Sequence, residues 1–200
     1  MRRIRIAVAT AAIASFVIAG TAFAAKITGG TTTITPSSAT TTLLSNNHIT
    51  VTPVAPATAS NGAFSFPISR GHINTTTLYG TVKNTGGIQL SNGTKTVTVR
   101  HPVIVSRKTG AYVWALIRDH SSRSCYRRLH HAHRIVCVVR TRYRDARILK
   151  ISGGSVSNGT YSGNVSITQA TATLINKLAG SNVAAAGDAL GTISVTPTLS

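Results

Sequence analysis

GNVSITQATATLINKLAG (residues 163–180), followed after a spacer by TISVTP (192–197), decides the fold, because an earlier stretch echoes it. That stretch reads GTTTITPSSATTTLLSNN (30–47) and then HITVTP (48–53). With Ile34 set against Ile167, Gly30 falls on Gly163, Thr35 on Thr168, Ala39 on Ala172 and Thr40 on Thr173. After a gap of eleven residues, Ile49, Val51, Thr52 and Pro53 fall on Ile193, Val195, Thr196 and Pro197. Each copy reads as a strand, a short helix and a second strand. In the later copy Thr168 is a good N-cap, Ala170 to Leu178 is the helix, and Gly180 ends it. Leu174, Ile175 and Leu178 form one apolar stripe on that helix. In the earlier copy Thr35 caps, Pro36 takes the first helical position, and Asn46-Asn47 ends the helix. Threonines 40 to 42 are poor helix formers, so this helix depends on packing.

Between the copies the chain is written in turns and alternation. Lys26 to Thr35 reads as a turn at Gly29-Gly30 and then a strand. Asn61-Gly62 introduces Phe64, Phe66 and Ile68 at alternate positions, a half-buried strand. Asn92-Gly93 joins Ile88–Ser91 to a strand with Val97 and Val99 on one face. That strand ends near Pro102, which suits an edge or a bulge. Val103–Val105 and Ala111–Ile117 form a further hairpin, and Trp114, the only tryptophan, is expected in the core. Gly153-Gly154 and Asn158-Gly159 repeat the turn chemistry. About ten short strands with regular turn signals predict a mainly β, antiparallel sandwich or barrel-like single domain carrying two short helices.

The chain opens with a basic segment (Arg2, Arg3, Arg5), an apolar run from Ile6 to Gly20, and Ala22-Phe23-Ala24 as an A-x-A cleavage site. That is the order of a secretory signal peptide, with an apolar run shorter than the ~20 residues of a spanning helix. The expectation is a signal peptide over 1–25 and a mature domain over 26–200, secreted or associated with the cell wall. There is no glutamate, and only Asp119, Asp145 and Asp188 are acidic, so the formal charge of the whole chain is +18. Such a chain is drawn to whatever is anionic outside the cell, whether wall polymer, lipid headgroup or free nucleic acid, and the charge alone does not choose among them.

Much of the charge is local. Residues 118–150 hold ten Lys or Arg, two Asp and four of the seven His, and the His/Arg-rich part runs from 118 to 147. Arg140, Arg142 and Arg144 alternate, so strand spacing sets them on one face roughly 6.6 Å apart, the footprint of a polyanion grip. No helix-turn-helix, zinc-finger or RNP-type motif accompanies them. His130, His131 and His133 include an H-x-H pair, a candidate metal or haem site that no C-x-x-C or carboxylate cluster backs. The alternative for both groups is a solvated polar loop. Cys125 and Cys137, twelve apart in an exported chain, are expected to pair, which would contribute about 3 kcal/mol. Three carboxylates and no G-x-S-x-G elbow argue against an enzyme.

With the turns placed, the chain resembles the HtaA-type domain of actinobacterial surface and secreted proteins. The resemblance spans Ile27 to Pro197 and rests on three places. These are ITGGTTTITPSSATTTLLSNNHITVTPVAPA (27–57), LYGTVKNTGGIQLSNGTKTVTVRHPVIV (78–105), and SGGSVSNGTYSGNVSITQATATLINKLAG (152–180) with AGDALGTISVTP (186–197). It implies a β-sandwich-like domain, exported or on the cell surface, and, in the best-known members, haem binding. Those members pair a tyrosine near the domain start with a histidine after glycine in the central strand. Here the central place reads Thr85-Gly86-Gly87, so none of the family's ligands is carried over. No cofactor is expected from the residues themselves; haem enters through the resemblance alone. The reading is an exported, non-catalytic binding or structural module, with haem or metal binding through the histidines, or binding of anionic polymer through the arginines, as alternatives.

Overall fold

β1 (Ala24–Pro36) is the strand on which the two chain ends meet. In the computed structural model, which describes residues 24–119, 123–127, 135–139 and 142–200, it pairs antiparallel with β4 (Ala63–Asn74) on one side. On its other side it pairs antiparallel with the last strand, β13 (Ala189–Leu199). Between them in sequence come α1 (Ser38–Asn46), β2 (Thr50–Val54), β3 (Thr58–Ser60), β5 (Gly80–Asn84), β6 (Gly87–Ser91) and β7 (Thr96–Arg107). Then follow β8 (Gly110–Asp119), β9 (Arg123–Arg127), β10 (Ile135–Val139), β11 (Arg142–Ser157), β12 (Thr160–Ile167) and α2 (Gln169–Ala179).

The sheet closes on itself. Its order β7-β5-β4-β1-β13-β12-β11-β8 returns to β7 through the β7–β8 ladder, making an eight-stranded barrel rather than a sandwich. Eight strands leave an interior that side chains just fill, or one that holds a small ligand. Period-two alternation decides which residues enter it. Phe66, Val113, Ile117, Val165, Ile193 and Val195 point inward and are buried. Outward, over most of the wall, stand threonines and serines, the reverse of a membrane-spanning barrel. No helix among the described residues is long and apolar enough to cross a membrane.

Two of the turns follow their sequence signals closely. Asn61-Gly62 and Asn158-Gly159 all take positive φ, and each pair joins directly opposed residues, Ser60 to Ala63 and Ser157 to Thr160. These are two-residue hairpins of the kind Asn-Gly favours. Elsewhere the structure corrects the expectation. Gly29-Gly30 is a bulge within β1 rather than a turn before it, since the ladder to β13 merely shifts register between Ile27 and Gly29. The two strands expected around Pro102 are one strand, β7, kinked where His101 takes a left-handed φ of +51°. Pro102 cannot donate to a ladder, so register with β8 shifts there. The kink redirects the strand's other edge: Thr96–Arg100 pairs with β6, and Val103–Ser106 pairs with β5. Asn84 fixes it by donating its side-chain amide to the Pro102 carbonyl at 3.0 Å. Trp114 is not in the core. Val113 and Ala115 take the inward positions of β8, so Trp114 stands on the outer wall, 38% exposed.

The echo holds for the strand-and-helix part of each copy and then diverges. Ile34 and Ile167 lie on β1 and β12, the two strands that flank β13 in one sheet. β13 returns beside its own β12, whereas β2 leaves the barrel and pairs with β6, an edge that branches from β7. The first helix also starts later than expected. Pro36 still faces Gly191 in the ladder, so the cap is Ser37, whose Oγ accepts from the Thr40 amide at 3.2 Å. Gly191 is required at that crossing: with φ at +152°, a Cβ there would run into the Thr35 carbonyl oxygen. α2 begins at Gln169 after Thr168 and ends on Gly180 in the left-handed conformation, as its sequence predicts. The Thr168 hydroxyl, however, makes no capping bond and donates to the Ile148 carbonyl at 3.2 Å instead.

Candidate functional site: a cavity at the barrel mouth

The two helices sit over one mouth of the barrel, and the space they enclose is a cavity of about 570 Å³. From below, Ile34, Phe64, Phe66, Val99, Val113 and Leu149 rise out of the barrel interior. α2 contributes Leu174 and Ile175, α1 contributes Leu44, and the β2–β6 branch contributes Val51, Ile88 and Leu90. β2, where the first copy departs from the echo, thus supplies part of one wall of this space.

The helices are held unequally. α2 buries Ala172, Leu174, Ile175 and Leu178, the stripe its sequence predicts. Its far end is fixed by Asn176, which accepts from the Val183 and Ala184 amides and donates to the Ala184 carbonyl, all at 2.9 Å. α1 buries no residue at all. Its Leu43 and Leu44 rest only partly against the core, and Leu44 faces the cavity. Three hydroxyls at the rim are turned away from it: Thr40 donates to the Leu190 carbonyl, Thr41 to that of Ser37, and Thr171 to that of Ile148. Their methyl groups are left to line a largely apolar space, to which Ser45 and Thr50 add small polar groups.

His48 is the exception. It follows the Asn47 cap of α1 at φ +55°, where its amide donates to the Ser45 carbonyl and the Ile49 amide donates to the Leu44 carbonyl. This is the left-handed position that ends many helices, usually held by glycine. A side chain kept there is worth noting, because the conformation costs a non-glycine residue free energy. The imidazole is exposed, lines the cavity, and has no hydrogen-bond partner among the described residues. No acidic residue, tyrosine or cysteine shares the lining. Among the described residues no three His, Cys, Asp or Glu side chains cluster as a metal site.

The residues singled out from sequence lie elsewhere. His130, His131, His133 and Arg140 fall outside the described residues. Arg142 stands opposite Asp119 at the end of the β8–β11 ladder, and Arg144, exposed, stands opposite Ile117. In the β9–β10 pair, Cys137 stands directly opposite Cys125. Sequence reasoning missed His48 and the cavity. The available signal was a histidine directly after Asn46-Asn47, at the point where the helix must stop.

The barrel matches crystal structures from Corynebacterium glutamicum. Against the C-terminal domain of HtaA the TM-score is 0.59, with 15% identity over 88% of this chain and 99% of that one. Against the N-terminal domain of HtaA it is 0.56, with 16% identity over 86% of this chain and 98% of that one. The barrel shares the fold of the HtaA domains. A third structure, described as the heme binding protein HtaB, gives 0.50 with 12% identity, covering 89% of this chain and 96% of that one. No family model matches the sequence, and no curated protein matches it either. The expected HtaA-type fold thus has its counterpart in solved domains.

Proposed function

We propose that this chain is an exported, non-catalytic binding domain of HtaA type whose ligand occupies the cavity between α1, α2 and the barrel mouth. The observation that carries the reading is the cavity itself. About 570 Å³ of apolar space lies within the range of small-molecule sites, and it sits under a helix that buries nothing of its own. Its chemistry suits a largely apolar molecule touched by one imidazole. Haem is the ligand class we assign. HtaB, which shares the fold, is described as heme binding, and the cavity of this chain offers His48 as its single nitrogen ligand. The porphyrin would be held by Leu44, Phe64, Ile88 and Leu174, and the metal would supply coordination to the imidazole. The basic composition supports residence at an anionic cell surface.

Titration with hemin tests this. The expected result is a saturable Soret shift that His48→Ala abolishes or moves, with a variant carrying alanine at residues 130, 131 and 133 behaving as wild type. A shift lost in the alanine triple variant and retained in His48→Ala would place the ligand on the basic segment and overturn the assignment.

A further inference from the structure

The barrel's outer wall is threonine and serine over most of its circumference, as at Thr31 and Thr33 on β1, Ser162 and Ser166 on β12, and Ser194 and Thr196 on β13. One sector breaks the pattern. Where β7, β8 and β11 run side by side, register sets Val103 opposite Trp114 and Val105 opposite Tyr112, with Leu116 next along β8. Tyr143 lies across from Arg118. Trp114 is 38% exposed and Tyr143 55% exposed, although the chain has few aromatics to spend on its surface. Leaving apolar surface of this kind in water is unfavourable, and contiguous patches of it mark contact sites.

Arginines rim the sector. Arg147 lays its guanidinium over two rings, 5.1 Å from the Tyr112 centroid and 5.4 Å from that of Trp114. Arg118 lies 5.7 Å over Tyr143, its Nε buried against the wall without a hydrogen-bond partner. Arg100 stands opposite Leu116. Asp145 is the one acidic side chain described in this sector, and no carboxylate pairs with any of the three arginines among the described residues. A guanidinium stacked on an aromatic face is already oriented, and its N–H edges remain free for phosphate or carboxylate.

We infer that this sector docks the protein on an anionic lipid surface, phosphate headgroups meeting Arg100, Arg118 and Arg147 while Trp114, Tyr112 and the valines enter the headgroup–acyl boundary. Tryptophan and tyrosine favour that boundary, and basic residues beside an anionic leaflet are attracted to it. An acidic polysaccharide engages the arginines but leaves Val103, Val105 and Leu116 without an apolar partner. A single-stranded nucleic acid needs open ring faces for its bases, and here the rings already carry guanidinium groups.

Trp114 is the only indole in the chain, so its fluorescence reports on this sector alone. The test uses protein lacking residues 1–23, since every strand of the barrel lies after them, and unilamellar vesicles of phosphatidylcholine with or without equimolar phosphatidylglycerol. The expected result is a blue shift of Trp114 emission and salt-sensitive co-sedimentation with the phosphatidylglycerol vesicles only. Arg118→Gln with Arg147→Gln should weaken co-sedimentation by roughly tenfold or more, while Arg140→Gln with Arg142→Gln should keep the blue shift. Circular dichroism of both variants checks that the barrel is intact. Vesicle binding without a change in Trp114 emission, or binding of heparin or single-stranded DNA in place of vesicles, overturns the proposal.

Discussion

The side-chain amide of Asn92 donates to the carbonyl oxygen of Leu178 at 2.6 Å, tying the β6–β7 hairpin to the last turn of α2. The same side chain accepts from the amides of Thr94 and Lys95, so one residue both shapes the hairpin loop and fastens it to the helix that roofs the cavity. Asn92→Ala should lower unfolding stability by about 1–2 kcal/mol, read from chemical denaturation. Ligand affinity should fall with it, because α2 carries Leu174 and Ile175 into the lining.

Leu44 separates the cavity from the fold. It faces the space from a helix with no buried residue, so adding bulk there fills the cavity without crowding a packed core. Leu44→Trp should leave stability within about 1 kcal/mol of wild type. Hemin affinity should drop at least about tenfold, the loss of one well-made contact surface. Unchanged affinity at unchanged stability would exclude the cavity as the binding site.

Burial holds the Tyr161 phenol above its ordinary pKa of 10.0. Desolvation disfavours the phenolate in the folded state. The unfolded chain therefore releases this proton at lower pH than the folded one, and stability declines as pH rises from about 10 upward through the raised folded value. Below pH 10 the contribution is constant. Tyr161→Phe should flatten that alkaline decline relative to wild type, measured as denaturation midpoints across the range.

Opposed residues of an antiparallel pair lie about 4.5–5.5 Å apart at Cα, within the span a disulfide bridges. The register of β9 and β10 places Cys125 and Cys137 in that relation. Protein produced under oxidising conditions should show the peptides carrying these two residues linked, by non-reducing mass spectrometry. Reduction should then lower stability by about 3 kcal/mol.

Periodicity and turn chemistry carried most of the architecture into the sequence. Alternation gave the inward faces of β4 and β7, and the Asn-Gly pairs gave three of the hairpins, because both are local properties of a strand. Closure was not local. Whether β7 would join β8 and complete a barrel depends on pairings between residues far apart in the chain, and alternation is the same in a sandwich. Trp114 was misread for a related reason. Its bulk suggests a core, but parity is set by Val113 and Ala115, and the small alanine is what the crowded interior accepts. The cavity was invisible because one of its walls departs from the repeat: β2 matches β13 at Val51, Thr52 and Pro53, yet pairs in a different place.

A helix that buries none of its own side chains is held mainly by its capping bonds and by partial contacts of Leu43 and Leu44. Nine residues are too few to stay helical on propensity alone. In the empty molecule the amides of α1 should therefore exchange with solvent far faster than those of α2, and a guest touching Leu44 would slow them selectively. Entry then requires only local fraying of α1, while the barrel's hydrogen-bond circuit stays shut.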